Sequence, residues 1–234
     1  GISQYLMSGE ESVLISNEKR EVKTLVDVFF DYILAGFYHI LPKGLDHILF
    51  VLGLLFLTPK ILPLAMQIST FTVAHTITLA TSALGIFTIS GSVVEPLIAL
   101  SIVYIAYENI FKTRLTRYRI ITIFVFGLLH GLGFASVLKT FGLPDNNFIW
   151  ALIGFNLGVE LGQITLVLGA LSILTLIFKT KKQFRIYVTI PGSLILGIFG
   201  LWWVLERIFS ATPDSFKLLV NKIRIIEQER KKNE

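Results

Sequence analysis

From about residue 44 to residue 209 the chain is a succession of apolar runs of roughly 18 residues or more, separated by short polar loops. A run of that length crosses the hydrocarbon core of a bilayer, about 30 Å, at helical rise. This feature constrains the fold more than any other, because in hydrocarbon every backbone amide must be paired inside its own segment or in a closed barrel. The runs are continuous and lack the alternation over about ten residues that barrel strands show. An all-α fold is therefore expected, a polytopic helical membrane bundle. The composition agrees, with 53% hydrophobic residues, 16% charged residues and a mean hydropathy of +0.72. A soluble domain averages about 25% charged residues, so the composition argues against an ordinary soluble enzyme.

The stretch from Leu25 to Leu57 is almost continuously apolar, yet one helix of that length would measure about 50 Å. Pro42, Lys43 and Gly44 must break it. The first half carries Asp27 and Asp31 among apolar residues, as an N-terminal interfacial or re-entrant helix does. The second half, about 44–57, is predicted as the first crossing. Further crossings are predicted at about 62–87, 92–111, 119–141, 148–178 and 186–208, six transmembrane helices in all. The basic loops around Lys60, over Lys112 to Arg119 and over Lys179 to Arg185 follow odd-numbered crossings. The positive-inside rule places them in the cytoplasm, and the N-terminus with the loops near Ser90 and Asp145 outside.

Residues 1–24 read as a polar N-terminal extension with no signal-peptide pattern, 25–209 as the helical transmembrane domain, and 210–234 as a charged C-terminal tail. The tail is rich in Lys, Arg and Glu and ends outside in this count, against the simple rule. No tandem repeat or internal linker divides the membrane part. The net charge of +5 sits in loops and tail, where topology accounts for it, and gives no reason to expect nucleic acid.

The chain has no cysteine, which excludes disulfides, thiolate zinc sites, iron–sulfur clusters and cysteine nucleophiles, so any metal must be held by nitrogen and oxygen. Ionisable side chains at bilayer depth are expensive and need a partner, a cavity or a function. All four histidines, His39, His47, His75 and His130, fall in or at the edge of apolar segments. Asp46 precedes His47, and Glu108 with Asn109 ends the third crossing. Asn156, Glu160 and Gln163 are spaced to share one face of the fifth. His75, Thr78 and Ser82 share a face of the second with Thr72 beside them, and His130 is flanked by Gly127, Gly131 and Gly133, which let a neighbour approach closely. The arrangement is a polar seam within a bundle. Imidazoles with Asp46, Glu108 or Glu160 supply the donors that zinc, nickel or cobalt take, whereas a structural reading has the histidines hydrogen-bonded between helices. Glu95, beside Pro96, reads as a helix N-terminal dipole partner at the outer interface. Trp202, Trp203, Glu206 and Arg207 read as an interfacial belt with an ion pair.

Five ordered stretches, HILPKGLDHILF at 39–50, FTVAHTITLA at 71–80, VVEPLIALSIVYIAYENI at 93–110, FGLLHGLGFASVL at 126–138 and FNLGVELGQ at 155–163, resemble the HupE/UreJ family of bacterial membrane proteins. The resemblance spans about residues 33–208. It implies a multi-pass protein of the bacterial inner membrane, associated with hydrogenase and urease operons and described as a nickel or cobalt permease or accessory protein. Asp46 and His47 match the family's G-x-D-H element, His75 its second-helix A-H and His130 its H-G element, while Glu108, Asn156, Glu160 and Gln163 occupy its other polar positions. Better-known members carry a His-Pro seven residues before the last histidine of the first motif. Here His39 lies eight residues before His47 and its proline follows three positions later, which marks the chain as a divergent branch.

The metal set expected from residues and resemblance together is Asp46, His47, His75, His130 and His39, with Glu108, Asn109, Asn156, Glu160 and Gln163 as further ligands, orienting groups or proton partners. The leading expectation is a divalent-metal permease or metal-handling protein, with membrane lipids, the metal ion and metalloenzyme-maturation proteins as partners. An intramembrane zinc hydrolase acting on a lipid or anchored peptide is the alternative, with Asp46, Glu108 or Glu160 activating a zinc-bound water, although no HExxH signature is present. A non-catalytic structural or accessory membrane protein is the third.

Overall fold

The computed structural model describes residues 24–141 and 147–211, the side chains of 134–141 and 211 excepted. Residues 1–23 of the N-terminal extension, the loop at Asp145 and residues 212–234 of the charged tail lie outside the described residues. Every described element is helical: α1 (Leu25–Ile40), α2 (Leu45–Leu57), α3 (Ile61–Ala83), α4 (Gly91–Phe111), α5 (Arg117–Phe141), α6 (Phe148–Ile177), α7 (Lys181–Phe184) and α8 (Ile190–Ala211), with a π-helical turn at Arg185–Thr189 joining the last two. By length and composition α3, α4, α6 and the run Lys181–Ser210 are each able to cross a membrane, and the bent pair α1–α2 makes a fifth. α5 is 25 residues long, about 37 Å at helical rise, and packs against α3 through Gly127 and Gly131.

α2 alone is 13 residues, about 20 Å, too short to be the complete first crossing that the sequence predicts. It works with α1, from which it bends by 71°. Contacts along both helices show that they run the same way. Phe29 of α1 meets Gly154 of α6 and Ile40 meets Gly162, so α1 is parallel to α6. Asp46 of α2 shares a cavity with Glu95 of α4, and the Gly53 carbonyl accepts from Asn109 Nδ2 at 2.7 Å, so α2 is parallel to α4. α4 and α6 are separated by the single antiparallel helix α5 and share a direction, so α1 and α2 form one broken crossing rather than a reversal. Thr24 and Asp27 close a capping box at the start of α1, which gives Asp27 a local task. At the break Gly44 packs against the His39 carbonyl, where a Cβ has no room.

The bundle closes as three tight pairs, α1 on α6, α3 on α5 and α4 on α8, around the short α2. Glycines set two of them. Gly154, Gly158 and Gly162 form a stripe of small residues on α6 that admits the α1 backbone, and Gly127 and Gly131 of α5 face Phe71 and His75 of α3, as the close approach expected at His130 requires. A Cβ at Gly158 would collide with the Ile33 carbonyl and sit 2.8 Å from the Phe37 amide. Gly158→Leu is therefore expected to pry α1 off α6 and cost about 1–3 kcal/mol or more, read as a lowered thermal midpoint in detergent. A midpoint equal to wild type would show that the two helices separate without loss. Phe50, Leu54, Ile68, Phe71, Ile102 and Ile105 are buried where α2, α3 and α4 meet and form the apolar centre.

Candidate metal centre

His39 ends α1, His47 lies in the first turn of α2, His75 on α3 and His130 on α5. In one continuous helix residues 39 and 47 would stand about 12 Å apart along the axis. The break folds them together, and their ring centroids are 4.8 Å apart. His47 is the hub, 4.8 Å from His130 and 5.7 Å from His75, with His75 6.2 Å from His39. His47, His75 and His130 are at most 2% exposed.

Asp46 Oδ1 lies 2.9 Å from His47 Nδ1 and accepts from the His47 backbone amide at 2.8 Å. An ionised carboxylate only accepts, so His47 carries its proton on Nδ1 and its Nε2 presents a lone pair. That Nε2 is buried without a hydrogen-bond partner, as are both ring nitrogens of His75 and Nδ1 of His130. A buried unpaired polar atom costs about 1–3 kcal/mol, and histidines that served only to hydrogen-bond helices together would leave few. Donor atoms of His39, His47 and His75, and again of Asp46, His47 and His130, lie within 4.8 Å of one another. Neutral imidazole nitrogens with one carboxylate are the donors that nickel, cobalt and zinc accept, so these residues fit such an ion.

The cluster opens in one direction. A cavity of about 620 Å³ is walled by His39, Asp46, His47 and His130 and leads to Lys43, Glu95 and Arg207. A second, of about 630 Å³, shares Lys43, Asp46, Glu95 and Arg207 and adds Trp203 and Glu206. Arg207 Nη1 donates to the Glu95 carbonyl at 2.8 Å and its guanidinium stands 5.3 Å from the centre of the Trp203 ring. Of the residues that the sequence assigns to an anchoring belt, Arg207 thus lines the histidine cavity, and Trp203 and Glu206 line the one beside it. On the opposite side Phe71 and Phe50 stand 5.0 and 5.3 Å from the His130 ring and close the cluster towards the apolar centre.

The other polar residues of the seam divide. Asn156 neighbours His75 and donates to the Leu152 carbonyl at 2.8 Å. Glu160 accepts from Ser69 Oγ at 2.6 Å, and the Gln163 amide meets Thr72 Oγ1 at 3.1 Å, so both join α6 to α3. Glu108 and Asn109 are elsewhere. Glu108 Oε2 accepts from Arg119 Nη1 at 2.7 Å, Asn109 Oδ1 accepts from the same nitrogen at 3.3 Å, and Gln67 Oε1 accepts from Arg119 Nε at 3.0 Å. Glu108 is seven residues beyond Ser101, which touches His130, and so about 10 Å further along α4. The sequence places Arg119 in a basic loop. Here it is 1% exposed, because α5 begins at Arg117 and carries it into the bundle. Arg119 and Gln67 gave no sign of this cluster, since a cation at the end of an apolar run reads equally well as a cytoplasmic anchor.

The family model described as HupE / UreJ protein matches residues 16–207, well over half of the chain. No curated protein and no solved structure matches it.

Proposed function

The chain belongs to the HupE/UreJ family, and from that membership together with the four-imidazole cluster we propose that it is a permease carrying nickel or cobalt across the bacterial inner membrane. Membership implies a membrane protein that handles these metals, as accessory protein or permease. The observation that carries the finer reading is the set of buried, unpartnered nitrogens on His47, His75 and His130 beside a cavity that reaches one end of the bundle.

His47, His75 and His130 are the ligands in this reading, with His39 and Asp46 completing the shell as the ion moves through it. Asn156, Glu160 and Gln163 hold α6 and α3 around the site. By the positive-inside rule the mouth at Glu95 and Arg207 faces outward, so the ion enters from outside the cytoplasm. A permeable site must also release its cargo, and the helix break before α2 and the glycine-lined contact of α5 are where the packing can shift. Hydrolysis is less well supported. Asp46 is the carboxylate beside the imidazoles and is engaged by His47, while Glu108 and Glu160 are held by Arg119 and Ser69.

Purified protein in proteoliposomes containing a metal-sensitive dye is expected to take up nickel(II) or cobalt(II) saturably, and His130→Ala to show none. Equal uptake by the variant would remove the pathway, and binding without uptake by the wild type would favour the accessory role. Imidazole ligates only when neutral, so uptake is expected to fall once the outer pH is low enough to protonate the cluster. Uptake that rose with acidification would contradict an imidazole shell.

A further inference from the structure

α4 contributes no histidine to the cluster, yet it supplies one polar contact to it. Ser101, fully buried on α4, has its Oγ 2.6 Å from the Ile98 carbonyl oxygen and 3.1 Å from His130 Nε2. A hydroxyl has one proton, and a carbonyl oxygen has none to give. The short contact to Ile98 therefore uses the Ser101 proton, and the contact to His130 requires the imidazole to donate. His130 then holds its proton on Nε2 and its lone pair on Nδ1, the nitrogen that is buried without a protein partner.

We propose that Ser101 is a positioning residue that fixes His130 in the Nε2–H form, so that His130 offers Nδ1 to the metal while His47, fixed by Asp46, offers Nε2. The two central imidazoles are thereby set in opposite tautomers by two different acceptors, one a carboxylate and one a hydroxyl. Each presents a bare nitrogen before the ion arrives, so neither has to surrender a proton to bind it. The outer hydrogen bond also raises the basicity of the ligating nitrogen. The sequence hides this, since a serine in an apolar helix more often bonds only its own preceding turn.

The proposal rests on the metal reading of the cluster, and two measurements separate their failures. The first is NMR of metal-free protein with nitrogen-labelled histidine, His130 being assigned by its loss in His130→Ala. The ring nitrogen shifts are expected to show Nε2 protonated. A proton on Nδ1 would overturn the proposal, and this measurement needs no variant of Ser101. The second is titration of detergent-purified protein with cobalt(II), followed by visible absorption. Ser101→Ala is expected to bind about 10- to 100-fold more weakly than wild type, the range for losing an outer partner of a ligating histidine. Wild-type affinity in Ser101→Ala overturns the role of Ser101 and leaves the metal site standing. Absence of cobalt binding by the wild type would sink the metal reading and the proposal together.

Discussion

Replacing His75 with alanine is expected to abolish tight binding of nickel(II) or cobalt(II), weakening it by more than about 100-fold, beyond the range typical of losing an outer partner. His75 is fully buried, faces Phe71 at 6.0 Å between ring centres, and has no hydrogen-bond partner at either nitrogen. Its loss should cost little in stability, because two effects oppose each other. Truncation opens a cavity, which destabilises, but it also removes buried nitrogens that make no well-formed hydrogen bond and have only the Asn156 side chain nearby to offset their desolvation. Calorimetric titration of the variant beside the wild type, with thermal midpoints of both metal-free forms, separates binding from folding. A large fall in the midpoint with unchanged metal content would mean that His75 is a structural residue, and wild-type affinity would remove it from the site.

Arg119→Ala is expected to destabilise the protein by about 3–5 kcal/mol while leaving the affinity of the remaining folded protein for cobalt(II) close to wild type. The guanidinium reaches Gln67 on α3 and Glu108 and Asn109 on α4, and Asn109 in turn reaches Gly53 on α2 and Ser193 on α8. Removing the arginine leaves a carboxylate that is 6% exposed without its cation. In low dielectric an unpaired charge costs far more than the pair contributes. The double variant with Glu108→Ala should lose less than the sum of the two single changes, and that coupling is the signature of the pair. A loss below about 1 kcal/mol would mean that Arg119 snorkels to the interface, as a cation at a helix end commonly does. Loss of cobalt affinity in folded protein would mean that the pair and the histidines act as one site.

Much of the molecule is legible along the chain. The apolar runs announce α3, α4, α5 and α6 to within a few residues, since hydropathy and helical rise are properties of consecutive residues. Pro42, Lys43 and Gly44 announce the break after α1, because the uninterrupted run is longer than a bilayer is thick. The four histidines stand out for the same kind of reason. Each is a costly residue in an apolar segment, and cost is visible locally.

What a residue meets across the bundle is not a local property. Glu108 and Arg119 are both charged residues near helix ends, and both carry the same sequence signal as residues that snorkel into water. Only the packing of α3, α4 and α5 shows that they neutralise each other away from the histidines. Glu95 and Arg207 likewise look like interface anchors until α8 lies on α4 and turns them to the mouth of the histidine cavity. The sequence by itself determined that this chain is a helical membrane protein with imidazoles in its apolar segments. The tertiary structure alone decided that the bend before α2 brings His39 and His47 together, that α1 and α2 run in one direction, and which polar residues face which. Helix formation is dictated by neighbours in the chain, whereas hydrogen bonds and ligand sets are dictated by neighbours in space, and the glycine-lined contacts that choose those neighbours act between helices far apart in sequence.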